Sequence, residues 1–302
     1  MIIVQVIPSL RTPRHVAAFD YTVPEGMTVR VGAFVRIPFR TKTIVGIVSS
    51  ISEGTELLRP LKPITDVIPS ILFSSPTLQL LAALAERSGS SPATVLHAWI
   101  GTLPKRIPND IPPSRQVTML GKREVTLLTD RWHHPDGVIA SARRAREDGK
   151  RVLILTPWAE SASSLAKELD AIMLTGTLAA GARFKAWSGF VRGDQPLLVA
   201  TRLGAWLAPE ADVIILDEPE NDDHKQDEMS PRYDARWIVE RAHATGSAVL
   251  EIGLTPRLSS APLATPGIAC DLISVDIHPS DWSSVAGLQN RALNALEEAR
   301  DD

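Results

Sequence analysis

Cysteine is almost missing. Cys270 stands alone in 302 residues, which excludes an internal disulfide and any zinc or iron–sulfur site built from several cysteines. No run of about eighteen apolar residues occurs, so the sequence offers no membrane-spanning helix and no membrane partner is expected. The opening MIIVQVIPSL lacks the basic segment of a secretory signal and reads as a strand, which makes the expected location cytoplasmic. No internal repeat, serine nucleophile elbow or Cys/His pair is found. His133-His134 is a metal-like pair, but with no acids or cysteines beside it on the loop it reads as exposed histidines rather than as ligands.

What is present begins with an ordinary balance. Hydrophobic residues make up 44% and charged residues 22%, as in a globular chain able to bury two or three small cores. The net charge of −3 is spread unevenly. Residues 1–62 carry eight bases (Arg11, Arg14, Arg30, Arg36, Arg40, Lys42, Arg59, Lys62) against four acids (Asp20, Glu25, Glu53, Glu56). This stretch therefore stands at +4 and the remainder at −7. A basic module on an acidic chain suits a local contact with a polyanion, although a solvated charged surface gives the same count.

The apolar pattern changes character twice. From Ile2 to Ile51 short apolar runs are divided by turns such as Pro24-Glu25-Gly26, which predicts a small β barrel or sandwich. Lys62 to Pro69 reads as a proline-containing connector. Ser75-Pro76 and Ser91-Pro92 then open two helices, the first with Leu80, Leu81, Leu84 and Ala85 on one face, in a small helical or winged-helix-like module. Leu103 to Pro113 is a proline-rich linker. From Glu124 short apolar strands (EVTLL, RVLIL, IML, LLVA, VIIL, AVLEIG) alternate with helices at Asp136–Asp148, Ser161–Leu169, Gly181–Val191 and Pro231–Thr245. That rhythm predicts a parallel α/β sheet covered on both faces. The expected fold class is α/β multi-domain, divided as 1–62, 63–105, a linker 106–123, 124–260 and a tail 261–302 with a helix near Ala286–Arg300. The seven tryptophans are scattered and expected to serve core or interdomain packing.

Five short motifs then fall in order. Phe19-Asp20-Tyr21, Pro24-Glu25-Gly26, Val31-Gly32, Pro38-Phe39 and Gly46-Ile47-Val48 resemble the 3′-DNA-binding domain of the PriA (primosomal protein N′) family of replication-restart helicases. Leu61-Lys62-Pro63-Ile64 is similar to that family's lead into its winged-helix module. Further on, Val199-Ala200-Thr201-Arg202 through Leu207-Ala208-Pro209 resembles the family's GTRSA-FAP segment, and Leu216–Arg236 its VDEEHD-SYKQ-PRYHAR stretch. Gly253-Leu254-Thr255-Pro256 sits where the family has SATP. The resemblance runs over roughly residues 1–260 and implies a RecA-like helicase lobe in the second half.

The chemistry of such a motor needs a glycine-rich turn whose backbone N–H groups wrap phosphates, a lysine, and a hydroxyl for Mg²⁺. Here Thr129-Asp130-Arg131-Trp132-His133-His134-Pro135-Asp136-Gly137 follows the first strand of the lobe. Glycine is nearly absent there, Pro135 removes a donor, and Asp136 falls about where the lysine belongs. Asp217 and Glu218 stand where the Mg²⁺-holding carboxylates would be, but Pro219 and Glu220 replace the expected Glu and His. The family's second motor lobe and zinc module have no counterpart after Ser260. The expectation is therefore no catalytic site and no cofactor, with ATP and zinc sites lost. The acidic loop 217–228 leaves a Mg²⁺-dependent nuclease as one alternative, a residual ATP-dependent helicase as another, and a solvated loop as the plainest account of the carboxylates.

The resemblance implies a DNA-binding protein that recognises 3′ ends at branched DNA or stalled forks during replication restart. By it Asp20 contacts the terminal 3′-hydroxyl, Phe19 and Tyr21 shape the pocket, and Lys62 meets a phosphate. An ordinary β-core aromatic pair accounts for Phe19 and Tyr21 as well. Arg40 departs from the family, which has glycine after Pro-Phe; its side chain narrows the pocket or adds a phosphate contact. Tyr233 belongs to the match and either touches DNA or packs. The partners implied are forked DNA, single-strand DNA-binding protein and primosome loading factors. Protein–protein contact alone is a third reading.

Overall fold

The computed structural model describes residues 1–54, 60–101, 103, 104, 107, 123–127, 134–253 and 264–266. Five antiparallel strands open the chain: β1 (Ile2–Pro8), β2 (Phe19–Thr22), β3 (Ala33–Phe39), β4 (Lys42–Glu53) and β5 (Asp66–Leu72), in the order β2-β1-β4-β3-β5. The segment between β4 and β5 joins the two edges. Lys62 O accepts from Thr22 N at 3.0 Å, Ile64 N donates to Thr22 O at 3.0 Å, and Thr65 N donates to Arg36 O at 2.9 Å. The bridge between Thr22 and Pro63 thereby curls the sheet into a barrel-like form. Val4, Val6, Tyr21, Val35, Ile37, Val48 and Ile64 alternate inward and fill it.

Two glycines of the sequence motifs are required by packing. A Cβ on Gly32, which has φ +87°, would stand 2.1 Å from Phe73 O, and one on Gly46 would meet Val6 Cγ1 at 2.5 Å. The connector expected at 62–69 is thus a barrel strand in its second half. The stretch expected as a winged-helix-like module gives β5 to the barrel and then two helices, α1 (Ser75–Arg87) and α2 (Pro92–Ile100). Ser74 and Ser91 cap them, accepting from Thr77 N at 3.3 Å and Thr94 N at 3.1 Å, with proline in each first turn.

The second half is a seven-stranded parallel sheet in the order β14-β6-β13-β10-β7-β9-β8. Its strands are β6 (Arg123–Leu127), β7 (Val152–Leu155), β8 (Ile172–Leu174), β9 (Leu197–Ala200), β10 (Val213–Asp217), β13 (Ala248–Gly253) and β14 (Ala264–Pro266). A hairpin of β11 (Lys225–Gln226) and β12 (Tyr233–Asp234) follows β10. All six strands read from the sequence are present. The helices α3 (His134–Glu147) and α4 (Ala159–Glu168) cover one face. The other is covered by α5 (Ala180–Arg192), a 3₁₀ segment Arg202–Glu210 and α6 (Ala235–Ala244). The helix expected from Pro231 begins at Ala235, because Tyr233 and Asp234 are taken into the hairpin. The linker 108–122, residues 128–133 of the expected phosphate loop, Leu254-Thr255-Pro256 and the tail from 267 lie outside the described residues.

Barrel and α/β lobe share one core. Phe34 on β3 and Phe73 beyond β5 meet edge-on at 4.9 Å, and Phe34 stacks on Trp187 of α5 at 6.1 Å. Trp99 of α2 stacks on Trp206 of the 3₁₀ segment at 5.5 Å, and Trp206 lies 5.5 Å from Phe73. Beside these rings the buried Glu210 carboxylate accepts from Ser74 N at 3.0 Å and Thr77 Oγ1 at 2.6 Å. A lobe carboxylate thus sits at the N-terminus of α1, where exposed peptide N–H groups favour negative charge.

Candidate nucleic-acid interface

One end of the barrel gathers most of the residues singled out in the sequence. β2 runs antiparallel to β1, with Phe19 opposite Val6 and Asp20 opposite Gln5. Alternation along β2 turns Phe19 and Tyr21 toward the barrel core and Asp20 to the outer face. Tyr21 is 5% exposed, donates to Pro38 O at 3.3 Å, and has its phenol pKa raised by burial. Phe19 remains half-buried and meets Phe39 edge-on, the centroids 5.4 Å apart. The Arg40 guanidinium carbon lies 5.8 Å from the Phe39 centroid. Lys62 is exposed and is held beside β2 through its carbonyl bond to Thr22. Tyr21 is therefore a core residue, whereas Phe19, Phe39 and Arg40 form a partly open aromatic–cation group. Phe39 was visible in the sequence only as half of the Pro-Phe motif.

A groove at the barrel–lobe junction was not foreseen. The β1–β2 loop is tied to the start of α2, Thr12 Oγ1 donating to Ser91 Oγ at 2.7 Å. It brings Arg11 to a cavity of about 430 Å³ lined also by His97, Trp99, Arg183, Gln226 and Tyr233. A neighbouring cavity of about 360 Å³ continues past Arg202 to Trp158, which is 39% exposed. Both lie beyond the carboxyl ends of β7, β8 and β9, where open α/β sheets take ligands. The helices α4 and α5 start there without side-chain caps. His97 Nδ1, Trp99 Nε1, Arg183 Nε and Gln226 Oε1 are buried without a hydrogen-bond partner among the described residues. Tyr233 OH donates to Arg202 O at 3.1 Å, and burial pushes the phenol up to about 12. The sequence signals for this groove were the basic count that includes Arg11 and Tyr233, expected either to touch DNA or to pack.

The acidic segment after β10 is differently arranged. Asp217 is 4% exposed, and its carbonyl accepts from Nε2 of the buried His224 at 2.8 Å. Burial holds the His224 pKa below the ordinary imidazole value, while the Asp217 carbonyl pulls the other way. Glu218 takes φ +47° and accepts from Asn221 Nδ2 at 3.0 Å. The Lys225 ammonium lies 2.6 Å from Asp222, and its hydrogen bond holds that carboxyl below its usual range. Asp223 accepts from the Trp158 indole at 2.6 Å. Arg236 forks onto Asp234 at 2.8 Å through both Nε and Nη2, and also donates to Pro219 O at 3.1 Å and Asn221 O at 3.3 Å. Among the described residues no three His, Cys, Asp or Glu side chains are grouped to hold a metal ion.

An antiparallel β barrel-like domain with an aromatic–cation end, fused to a parallel α/β lobe, is the class this fold and site define. Residues 6–101, from β1 through α2 and the glycine after it, match the family model of the PriA 3′DNA-binding domain (3′BD). That span takes in the barrel and both capped helices together, and it supports binding of DNA 3′ ends. Among solved structures the chain is similar to the Pyrococcus furiosus Hef helicase domain, at 21% identity and TM-score 0.32, over 43% of this chain and 27% of that one. It is also similar to the C-terminal domain of the DEAD-box protein Dbp5, at 16% identity and TM-score 0.33, over 48% and 81%. The C-terminal part of the Fun30 ATPase domain follows at 15% identity and TM-score 0.30, over 58% and 57%. The fold of the lobe rests on its own strand order and register rather than on likenesses at these scores. Among the described residues no helix is long and apolar enough to cross a membrane.

Proposed function

We propose that this chain reads a 3′ end at branched DNA or a stalled fork and works in replication restart without helicase activity. The observation that carries the reading is the coincidence of the 3′BD match with the barrel end where Phe19, Phe39 and Arg40 meet and the exposed Lys62 is held beside β2. On its outer face Asp20 offers a carboxylate that engages no side chain among the described residues, free to accept from a terminal 3′-hydroxyl. Lys62 meets a backbone phosphate. The junction groove, with Arg11, Arg183 and Arg202 beside Trp158 and Tyr233, suits a flanking single strand, since arginines track phosphates and aromatic faces stack bases. The glycine-poor sequence Thr129–Gly137 supports the loss of ATP-driven movement. The reading places the protein in the cytoplasm, with single-strand DNA-binding protein and primosome loading factors as partners.

Fluorescence anisotropy tests this on a fork whose leading strand ends at the junction in a free 3′-hydroxyl, beside the same fork without that strand. Asp20→Ala weakens binding to the first by about ten-fold, the worth of one hydrogen bond to a charged group, and leaves the second unchanged. Equal binding of both forks by the wild type overturns the end-reading.

A further inference from the structure

Arg40 keeps its place at the barrel end against steric preference. Phe39 pairs with Lys42, so Arg40 and Thr41 are the whole loop between β3 and β4. Arg40 takes φ +53°, and it is the one non-glycine residue of the barrel in the left-handed region among the described residues. Glycine enters that region without a Cβ clash, whereas arginine does not. A two-residue hairpin loop requires positive φ at its first position, so the turn fixes this conformation although arginine stands where glycine would be at ease. Here it sets the guanidinium over Phe39, whose ring meets Phe19, and no carboxylate pairs with it among the described residues. Lys42 across the turn and Lys62 beside β2 are exposed. Against these three cations β2 and the turn carry one acid, Asp20.

A lone carboxylate at a strand-end pocket welcomes a hydroxyl and repels a terminal phosphate through like charge. A guanidinium at the rim reverses that repulsion, because its planar fork takes two phosphate oxygens at once. We infer that Arg40 makes the barrel end accept DNA strands terminated by a 3′-phosphate as well as by a hydroxyl. The inference rests on the barrel being the DNA-end site. Such an end has no hydroxyl for a polymerase to extend, so a phosphate-removing hydrolysis must precede synthesis from it. The chain would then hold blocked and extendable ends alike.

The test is an anisotropy titration of the full chain with three forks that differ only in the leading strand: ending in a 3′-hydroxyl, ending in a 3′-phosphate, or absent. The wild type binds the two ended forks within about two-fold of each other, the guanidinium offsetting the repulsion from Asp20. Arg40→Gly and Arg40→Asn, both at ease with positive φ, weaken the phosphate-ended fork about ten-fold and the hydroxyl-ended one less than about two-fold. A wild type that rejects the phosphate end, or variants that change both ends alike, overturns the inference and leaves the end-reading standing. A strandless fork bound as tightly as the other two removes both.

Discussion

The barrel end and the carboxyl end of β10 each carry charged side chains beside aromatic rings, yet they spend them differently. After β10 several of the charges are bound to partners within the turn. Arg236 holds Asp234 and two backbone carbonyls, Lys225 holds Asp222, and the Trp158 indole holds Asp223. At the barrel end, among the described residues, Asp20, Lys42 and Lys62 form no ion pair, and Arg40 lies over the Phe39 ring. Groups consumed by internal bonds fix a loop, whereas groups left open are available to a ligand. Where the mechanism of a motor would reside, the chain has a braced turn. Where a nucleic acid would be gripped, it has unspent charge.

The sharpest way to break this contrast is Arg236→Ala. Removing a buried guanidinium leaves Asp234 and two carbonyls unmatched, and urea denaturation should show a loss of about 3 kcal/mol. Fork affinity of the folded variant stays at the wild-type level; a parallel loss of affinity would show that the braced turn also serves DNA. A smaller effect comes from pH. Burial lowers the His224 pKa in the folded chain, so the unfolded chain takes up the proton first. The stabilisation is whole above the unfolded value of about 6.5 and is lost as the pH falls through the lowered native value. Urea midpoints at pH 7 and pH 5 therefore differ, and His224→Gln narrows the gap; an unchanged gap refutes the assignment. The smallest effect lies at the barrel, where Arg40→Gly raises stability by about 1 kcal/mol, read as a higher urea midpoint. A fall in midpoint would mean that the cation–ring contact outweighs the backbone strain.

Much of the architecture was legible because period and punctuation agree. The six lobe strands are short apolar runs between helical stretches, and Ser-Pro pairs mark the starts of α1 and α2. The glycines of the motif pattern proved to be packing requirements at Gly32 and Gly46. The fifth barrel strand was hidden, because Asp66–Leu72 contains Pro69 and follows a proline-containing stretch, which reads as a connector. The candidate site was legible in part. The motif named Phe19, Asp20, Tyr21, Arg40 and Lys62, but only strand alternation, known once the register is fixed, separates the inward Tyr21 from the outward Asp20. The junction groove depends on Arg11 and Arg183 meeting across the barrel–lobe contact, far apart in sequence.

The ring cluster that runs from Phe34 through Phe73 and Trp206 to Trp99 makes the molecule a set square. With aromatic side chains from both regions interlocked in one core, the described residues show no pivot between the barrel and the lobe that carries the groove. On the proposed function, a branched duplex seated on both would have to adopt the angle cut into the protein, and the fit itself would become a measure of how the branches diverge.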